Sequence, residues 1–467
     1  MSADPLKVAV VGSGIAGLAA VHTLQRECAA SGHDALRLSL FEAGPYFGGH
    51  TNTVDVTLPG KQGPVTHGVD TGFLVLNERT YPELIALFKT LDVPLAKSDM
   101  SFSVQARRAA GHPALEWSGS SLNSVFAQRS NLLSPRFMGM LADLLRFNRL
   151  ATRLAKSLET PQHEDTRADA QMRQPLGDFL RECRFGKGFC EDYFLPMMAC
   201  IWSCPAEQML EFPVATMLRF CHNHGLLQVS QRPQWWTVAG GARRYVDKIT
   251  ASIGDKRLNT PVRQIRRGVV AGAPLRATGV HIATDSGVEY FDKVIVATHC
   301  DQALAMLQAP SLAEQRTLGA IRYQPNIAVL HTDTTVLPTR EVAWAAWNYE
   351  RVVAQKGSQV CLHYLINRLQ PLPWTQPVVV SLNPLRPIDE RQMLAEFDYA
   401  HPVFDLAAIK AQRQMPWLQG QQDTYFCGAW MGYGFHEDGL KAGAGAARQL
   451  LADLAKRECL PAERKAA

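Results

Sequence analysis

Cysteine pairs at the C-x-x-C spacing are missing from this sequence, and no zinc-type spacing occurs either. We therefore predict no metal site. Thiols scattered through a long chain are typical of proteins from a reducing compartment, so we expect these cysteines to be buried and free. The chain has ten of them: Cys28, Cys183, Cys190, Cys200, Cys204, Cys221, Cys300, Cys361, Cys427 and Cys459.

Charge is sparse as well, at 19% of the 467 residues, with a formal net charge of +5 and no long run of lysine or arginine. Binding to nucleic acid therefore receives little support, whereas a weak attraction to anionic lipid stays open. Hydrophobic residues make up 46% of the chain, which is enough for a large core. At about 150 residues per domain, the length suggests roughly two or three domains.

Long apolar runs are missing too. The longest, Phe194–Cys204, contains Pro196 and is far shorter than the ~20 residues that a membrane-spanning helix needs. No signal peptide is recognisable, because the apolar run near the start leads directly into a glycine motif. We expect a cytoplasmic protein, with contact to a membrane surface as an open alternative.

What the sequence does contain is a glycine motif between a strand and a helix. Leu6–Val11 is a short apolar run rich in β-formers, Leu18–Ala30 has helical periodicity, and Leu36–Phe41 alternates like a second strand. Together they predict a β-α-β unit. The turn between the first strand and the helix consists of Gly12, Ser13, Gly14, Ile15, Ala16 and Gly17.

Such a turn allows the backbone to approach a pyrophosphate closely, and the helix start offers free N–H groups to the phosphates. Glu42, at the end of the second strand, is the natural acceptor for ribose hydroxyls. Gly48 and Gly49 follow and leave room for an extended cofactor. The alternative is an ordinary glycine-rich turn beside a solvated Glu42.

A second strand, turn and helix are predicted from Tyr425–Trp430 and Gly432–Leu440. The start of this helix would favour the negative charge of a reduced flavin, unless the turn only caps a surface helix. We expect the two helix starts to converge on one bound dinucleotide.

Between these motifs, helical and β patterns occur in blocks. The pattern over approximately residues 120–230 predicts a helical insertion with a polar loop at Glu159–Gln174. Its Leu132–Leu158 stretch is apolar on one face and basic on its flanks, and it either packs on a core or lies on a bilayer. Further helices are predicted at Tyr81–Leu91, Leu176–Cys183, Phe189–Met197 and Gly439–Ala455. Strands are predicted at Leu258–Arg267, Gly279–Thr284, Val288–Thr298, Ile327–Thr332 and Val360–Asn367.

The sequence resembles the flavin amine oxidase superfamily, which also contains phytoene-desaturase-like and protoporphyrinogen-oxidase-like enzymes. The blocks that carry the resemblance are Gly12–Gly49, Trp236–Ala242, Val294–Thr298 and Cys427–Gly443. Further stretches are similar to a bacterial subgroup known only as predicted NAD/FAD-binding proteins, often encoded beside cyclopropane-fatty-acid-synthase-like genes. These stretches are Val69–Phe73, Ser98–Phe102 and Gly434–Gly439.

The resemblance implies an α/β + α+β fold. A Rossmann-type, GR2-like FAD-binding domain would be interleaved with a mixed-sheet substrate domain and the helical insertion. Residues 1–75, 235–300 and 415–467 would form the FAD-binding domain, and residues 76–234 and 301–414 the substrate domain. FAD would be bound non-covalently, because no cysteine matches an attachment position.

The resemblance also implies a cofactor-binding role for each motif. The residues are Gly12, Ser13, Gly14 and Gly17, with Ile15 and Ala16 between them, and Gly428 and Ala429 at the pyrophosphate; Glu42 with the adjacent Ala43 at the ribose; Gly49 and His50, with the adjacent Thr51, near the pyrophosphate–flavin stretch; Val262 at the adenine; and Gly72, Phe73, Gly439 and Leu440 around the flavin ring.

The chain departs from the family in two places. His50 stands where many members have arginine, and Pro325–Ile327 has no lysine where many members place one near flavin N5. No aromatic pair is clearly placed to enclose an amine. Oxidation of a simple amine is therefore less expected.

Catalytic residues are not fixed by the sequence. His299 and His436 are candidates because a histidine can act as a base near neutral pH, and Trp347 is a candidate as part of an aromatic wall. A purely structural role is the alternative for all three. Asp70 and Glu437 are open to the same two interpretations.

We expect an FAD-dependent oxidoreductase that takes a hydride from a C–H bond of a hydrophobic substrate onto flavin N5. Oxidation or desaturation of an acyl lipid is the leading reaction. One alternative is an amine oxidase that releases hydrogen peroxide, and another is a lipid-binding protein without catalysis on the same fold. The expected partner is thus a hydrophobic small molecule or lipid, and the oligomeric state stays open.

Overall fold

The structure is a computed structural model, and it describes residues 5–30, 36–107, 115–157, 174–202, 209–228, 233–268, 279–354 and 357–458. The predicted polar loop at Glu159–Gln174 lies outside these residues except for Gln174, and so do Cys204 and Cys459.

Twenty strands are described, numbered β1 to β20 in chain order. Their bounds are Leu6–Val11, Leu36–Phe41, Thr53–Gly60, Gly63–Asp70, Leu76–Asn77, Leu95–Ser98, Phe102–Arg107, Leu115–Ser118, Trp235–Val238, Asp255–Arg257, Val262–Arg267, Val280–Thr284, Gly287–Phe291, Lys293–Val296, Tyr323–His331, Trp347–Ala354, Gly357–Leu365, Val379–Leu382, Met393–Pro402 and Thr424–Phe426.

The described α-helices are Ile15–Ala30, Pro82–Thr90, Leu122–Val125, Pro135–Ser157, Leu176–Glu182, Lys187–Phe189, Leu195–Trp202, Val214–Asn223, Arg243–Ala251, Cys300–Met306, Leu312–Leu318, Ile366–Leu369, Leu406–Leu418 and His436–Glu458. A π-helical turn occupies Cys190–Phe194. Short 3-10 turns lie at Arg129–Leu133, Thr334–Val336, Glu341–Ala343, Glu390–Gln392, Gln421–Asp423 and Ala429–Met431.

The predicted β-α-β unit is part of a five-stranded parallel sheet in the order β10-β2-β1-β14-β20. Residues 8–11 of β1 and all four residues of β14 are buried, and all of them except Lys293 are apolar, as expected for parallel strands covered on both faces. All five strands come from segments 1–75, 235–300 and 415–467. The division of the chain into these FAD-binding segments and the remaining substrate segments stays a prediction.

The prediction of one strand at Val288–Thr298 is wrong. Residues Gly287–Phe291 form β13 of a three-stranded antiparallel sheet, whereas Lys293–Val296 form β14 of the parallel sheet. Asp292 separates them: its backbone N–H donates to Lys7, and its carboxylate accepts from the Lys7 N–H at 2.8 Å. Both parts are rich in valine, isoleucine and aromatic residues, so the sequence alone does not show where one sheet ends and the next begins.

The mixed sheet that the resemblance implied is present, with seven strands in the order β19-β15-β18-β17-β16-β7-β8. The strand predicted at Ile327–Thr332 is the second half of the longer β15, and the one predicted at Val360–Asn367 ends at Leu365 where a short helix begins. The hairpin of β3 and β4 and the long β19 had no counterpart among the predicted strands.

The expected helical insertion is present, since helices and turns fill the described part of residues 119–228 apart from an isolated bridge between Pro175 and Pro213. The helix Pro135–Ser157 buries Phe137, Met140 and Phe147, so it packs on the core with its apolar face. Among the described residues, no helix has both the length and the apolar character needed to cross a membrane.

The helix predicted at Phe189–Met197 is not continuous, because a π-helical turn interrupts it just before Pro196. Proline has no N–H to donate to the carbonyl four residues earlier, that of Asp192, so the regular ladder cannot continue there. The Asp192 carboxylate is buried and accepts from Arg136 at 2.7 Å and from Arg351 at 3.2 Å. These two ion pairs fix the irregular turn against both neighbouring elements.

Candidate cofactor and substrate site

The glycine turn after β1 is packed so tightly that side chains are excluded at two of its glycines. Gly12 has φ +99°, and a Cβ there would lie 2.8 Å from the carbonyl oxygen of Ala297. A Cβ at Gly17 would lie 1.9 Å from the carbonyl oxygen of Gly12. Gly14 differs, because a Cβ there would meet nothing within 4 Å. The turn therefore presents open space above Gly14.

Glu42 is fixed beside this turn and is not a freely solvated side chain. One carboxylate oxygen accepts from the backbone N–H of Ser13 at 3.0 Å and from its hydroxyl at 2.5 Å. The other oxygen accepts from the N–H of Gly44 at 2.8 Å. A carboxylate can accept about four hydrogen bonds, and Glu42 already accepts three, so it retains capacity for about one ribose hydroxyl.

The two helix starts converge, as the sequence predicted. A Cβ at Gly439 would lie 2.7 Å from the Ile15 side chain and 3.5 Å from Ala429. A Cβ at Gly443 would lie 2.0 Å from the carbonyl oxygen of Ala16. Small residues thus let the helices Ile15–Ala30 and His436–Glu458 cross almost backbone to backbone, with both starts at the same place.

A cavity of about 680 Å³ opens at this point. Most of the predicted cofactor residues line it: Gly12, Ser13, Gly14, Ile15, Ala16, Glu42, Ala43, Gly49, His50, Gly72, Phe73, Val262, Gly428 and Ala429. The catalytic candidates His299, His436 and Trp347 line the same cavity.

Four predicted cofactor residues lie behind the cavity wall. Gly17 packs on Gly12, and Gly439 packs on Ile15, as their close contacts show. The hydroxyl of Thr51 lies 2.5 Å from that of Tyr245 in the interior. Leu440 is buried in the core. These residues support the wall from behind.

His436 is held in place by its neighbours. Its Nε2 lies 2.9 Å from the Thr51 hydroxyl and 3.1 Å from the Tyr245 hydroxyl, and its ring stacks on Phe73 with 3.8 Å between centroids. Burial lowers the pKa of His436 to about 3, so the ring is neutral at pH 7. This geometry favours a structural role in positioning Phe73. His299 stacks on Tyr323 at 4.2 Å, and burial lowers its pKa as well.

One arm of the cavity is apolar and aromatic. Trp347 and Tyr364 meet edge to face at 5.0 Å, and the indole N–H of Trp347 is buried without a hydrogen-bond partner among the described residues. The other apolar side chains that line the cavity include Met100, Ile201, Phe220, Leu226, Trp235 and Phe435.

His224 lies within this apolar arm and was missed by the sequence analysis. Its ring stacks on Phe220 at 3.9 Å, and its Nδ1 lies 3.1 Å from the Phe220 carbonyl oxygen. A carbonyl can only accept, so Nδ1 carries the proton and Nε2 keeps its lone pair. Burial lowers the pKa of His224 to about 4. No motif surrounds this histidine, and only the fold shows that it lines the cavity.

Asp70 and Glu437 have structural roles. The Asp70 carboxylate accepts from Thr53, Gln370 and the backbone N–H of Ala242, and burial raises its pKa to about 7. Glu437 accepts from the first N–H groups of the helix Pro82–Thr90, at 3.0 Å each, and so caps that helix. Neither carboxylate lines the cavity.

Residues 15–359, more than half of the chain, match the family of flavin-containing amine oxidoreductases. The chain belongs to this family. It is an FAD-dependent oxidoreductase, as predicted. The search of curated protein sequences finds no match.

Solved structures of several enzymes resemble this member of the family over nearly its whole length. Cyclohexylamine oxidase from Brevibacterium oxydans IH-35A is 15% identical, with a TM-score of 0.63 over 97% of this chain and 100% of its own. Putrescine oxidase bound to putrescine is 14% identical, with a TM-score of 0.62 over 96% and 99%. The CLA-producing fatty acid isomerase from P. acnes is 14% identical, with a TM-score of 0.60 over 98% and 100%.

The residues of the cavity fit the FAD that the family binds. The open space above Gly14, the fixed Glu42 carboxylate and the two helix starts are suited to a dinucleotide with a ribose and a pyrophosphate. A Cβ at Gly72 would lie 2.2 Å from the carbonyl oxygen of His50, so the chain segments that face the cavity pack closely there. None of the described residues that line it is a cysteine, which fits non-covalent attachment.

A hydrogen-bonded chain of amides lies around Pro325–Ile327, where many members of the family have a lysine and this chain has none. The Ile327 N–H donates to the Asn383 side chain at 2.9 Å, and the amide nitrogen of Asn383 donates to the carbonyl oxygen of the Asn326 side chain at 2.7 Å. The amide nitrogen of Asn326 then donates to Nδ1 of His401 at 2.8 Å. His401, which lines the cavity, therefore carries its proton on Nε2.

Proposed function

We propose that this enzyme takes a hydride from a C–H bond of a hydrophobic substrate of the acyl-lipid class, in an oxidation or desaturation. The observation that carries the proposal is the chemistry of the cavity wall. Of the described residues that line the cavity, the only carboxylate is Glu42, beside the glycine turn. The aromatic arm offers no carboxylate to pair with an ammonium group, whereas an acyl chain can fill it without leaving a charge unpaired.

Bound FAD would supply the hydride acceptor at N5. The side chains of the arm exclude water and orient the chain, which is what hydride transfer from an unactivated C–H bond requires. Desaturation also releases a proton from the neighbouring carbon. Nε2 of His224 retains a lone pair within the apolar arm, and we assign the acceptance of this proton to it.

Contact with a lipid surface is part of the proposal. Leu122 and Leu133 are 80% and 89% exposed, and Leu132, Met138 and Leu145 are exposed on the same helical segment. Arg149 and Arg153 lie exposed further along its long helix. Two other arginines of this segment are already paired, Arg136 with Asp192 and Arg146 with Asp143.

Anaerobic reduction of the flavin tests the proposal directly. The purified yellow protein is mixed without oxygen with unsaturated or branched acyl lipids in one series, and with putrescine and other amines in another. We expect bleaching of the flavin absorbance by an acyl lipid and by no amine. Bleaching by amines alone would support the amine oxidase alternative and contradict the proposal.

The acyl-lipid profile of a deletion strain is an independent test. We expect a precursor chain to accumulate and a product with one more double bond or oxidised carbon to disappear. An unchanged profile would argue against the lipid assignment. Pelleting with anionic vesicles tests surface contact, and a Leu122→Ser, Leu133→Ser variant should stay in the supernatant while keeping its flavin spectrum.

A further inference from the structure

If the cavity binds FAD, its wall must accommodate a pyrophosphate with two negative charges without a permanently charged side chain. Among the described residues that line it there is no lysine and no arginine. A helix start supplies roughly half a positive charge, so the start at Ile15, beside the glycine turn, offsets only part of the two negative charges, whereas the start at His436 is expected at the flavin. Backbone N–H groups solvate the phosphates but add no net charge. Further positive charge would stabilise the bound pyrophosphate, and a group that is neutral in the empty protein can supply it by taking up a proton.

Among the described residues that line the cavity, only the histidines can become positively charged by taking up a proton. Three of them form a cluster, in which the ring of His50 lies 5.3 Å from that of His401 and 6.1 Å from that of His299. His50 follows Gly49, and a Cβ at Gly49 would lie 3.2 Å from the Cα of Gly14. The cluster is therefore joined directly to the glycine turn.

Within the cluster, His50 has a ring nitrogen that makes no hydrogen bond to the described residues. This nitrogen is Nε2, and it is buried. Nδ1 of His401 already accepts a hydrogen bond from the amide of Asn326. A second proton on His401 would have to sit on Nδ1 and would point at that N–H group. Nε2 of His436 is bonded to two hydroxyls inside the wall.

The surroundings of His50 offer no other compensation for a positive charge. The groups that act on it are His401 on β19, His299 after β14 and His436 at the start of its helix, and its ring stacks on Tyr399 of β19 at 4.8 Å. None of these is an acid. In the empty protein, burial and the neighbouring histidines hold the pKa of His50 well below its usual value.

We propose that binding of FAD is coupled to the uptake of one proton from solvent, which forms a second N–H bond on the imidazole ring of His50. The protonated ring then compensates one of the two negative charges of the pyrophosphate. The ring of His50 is thus positively charged only when the cofactor is bound. The proposal rests on the assignment of the cavity to FAD, and it does not depend on which substrate the enzyme oxidises.

Titration calorimetry of the apoprotein with FAD measures this uptake without any turnover. The titration is repeated at pH 7.5 in phosphate and in Tris, which differ in their heat of ionisation. We expect the observed heats to differ by the amount for about one proton taken up, and the Kd for FAD to rise up to tenfold per pH unit as long as the pH stays below the pKa of the ring in the complex. Equal heats in the two buffers would overturn the proposal.

Two variants locate the proton. His50→Arg places a permanent cation at the same position, so it should bind FAD with an unchanged flavin spectrum, no proton uptake and a Kd independent of pH. His224→Asn, which changes a histidine of the apolar arm, should keep the uptake of the native chain. If the arginine variant still takes up a proton, or the asparagine variant loses the uptake, His50 is not the site.

Discussion

Two glycines of the same turn should respond to alanine in opposite ways. At Gly14 a methyl group would meet nothing within 4 Å, so the empty protein should fold as before, with its free energy of unfolding unchanged or raised by at most about 1 kcal/mol. The methyl group would instead occupy the space above the turn. We expect Gly14→Ala to weaken FAD binding at least a hundredfold, about 2.7 kcal/mol.

At Gly17 the methyl group would lie 1.9 Å from the carbonyl oxygen of Gly12, a backbone atom that no side-chain rotation can move. Overpacking of this kind typically costs about 1–3 kcal/mol, and a clash between two backbones lies at the upper end. Gly17→Ala should therefore lower the thermal midpoint of the apoprotein by several degrees. Any loss of FAD would follow from this loss of stability.

The assay pairs thermal unfolding of the flavin-free protein with fluorescence titration of FAD. Gly139→Ala is the matched control, because a Cβ there also meets nothing within 4 Å but lies on the helix Pro135–Ser157 away from the cavity. It should leave FAD binding unchanged. If Gly14→Ala binds FAD like the native chain, the space above Gly14 is not where the phosphates lie. If Gly17→Ala is as stable as the native apoprotein, our account of the turn is wrong.

Three further outcomes follow from single side chains. Glu437→Ala removes the cap of the helix Pro82–Thr90 and should lower the free energy of unfolding by about 1 kcal/mol in a urea titration. Burial raises the pKa of Asp70 to about 7, above its value in the unfolded chain, so it stays protonated in the folded state when the unfolded state has already ionised. This carboxyl therefore lowers stability as pH rises from about 4 to 7. Asp70→Asn should flatten that part of the stability profile, and an unchanged slope would contradict the assignment. His224→Asn should slow flavin reduction by an acyl lipid at least tenfold without changing the Kd for FAD, and an unchanged rate would remove His224 as the proton acceptor.

The dinucleotide end of the site could be predicted because its determinants are local in the chain. The turn Gly12–Gly17 and the acid at Glu42 lie within one β-α-β unit, so glycine spacing and strand pattern are enough to indicate both. The second helix start was predicted in the same way from its own turn. Their convergence, shown by Gly439 against Ile15, needs only that both strands belong to one parallel sheet.

The remaining part of the site could not be predicted, because distant segments build it. The hydroxyls of Tyr399 and Thr71 form a hydrogen bond of 2.8 Å although more than 300 residues separate them in the chain. The ring of His50 stacks on the ring of Tyr399. The chain of amides that orients His401 links β15, β19 and the end of β18, which pair only in the folded sheet. Neither arrangement leaves a spacing in the sequence that could be recognised.

Backbone atoms form one end of the cavity and side chains form the other. For this reason the cofactor is easier to infer than the substrate. Around Gly14 the contacts are made by backbone, and backbone geometry persists in structures that are only 14–15% identical to this chain. The apolar arm is made by side chains such as Phe220, Leu226 and Phe435, which can change one at a time without disturbing the sheet. Enzymes that oxidise cyclohexylamine or putrescine and one that isomerises a fatty acid can therefore share one fold. The substrate of this chain must be read from the arm, where the absence of a carboxylate among the described lining residues weighs against an amine.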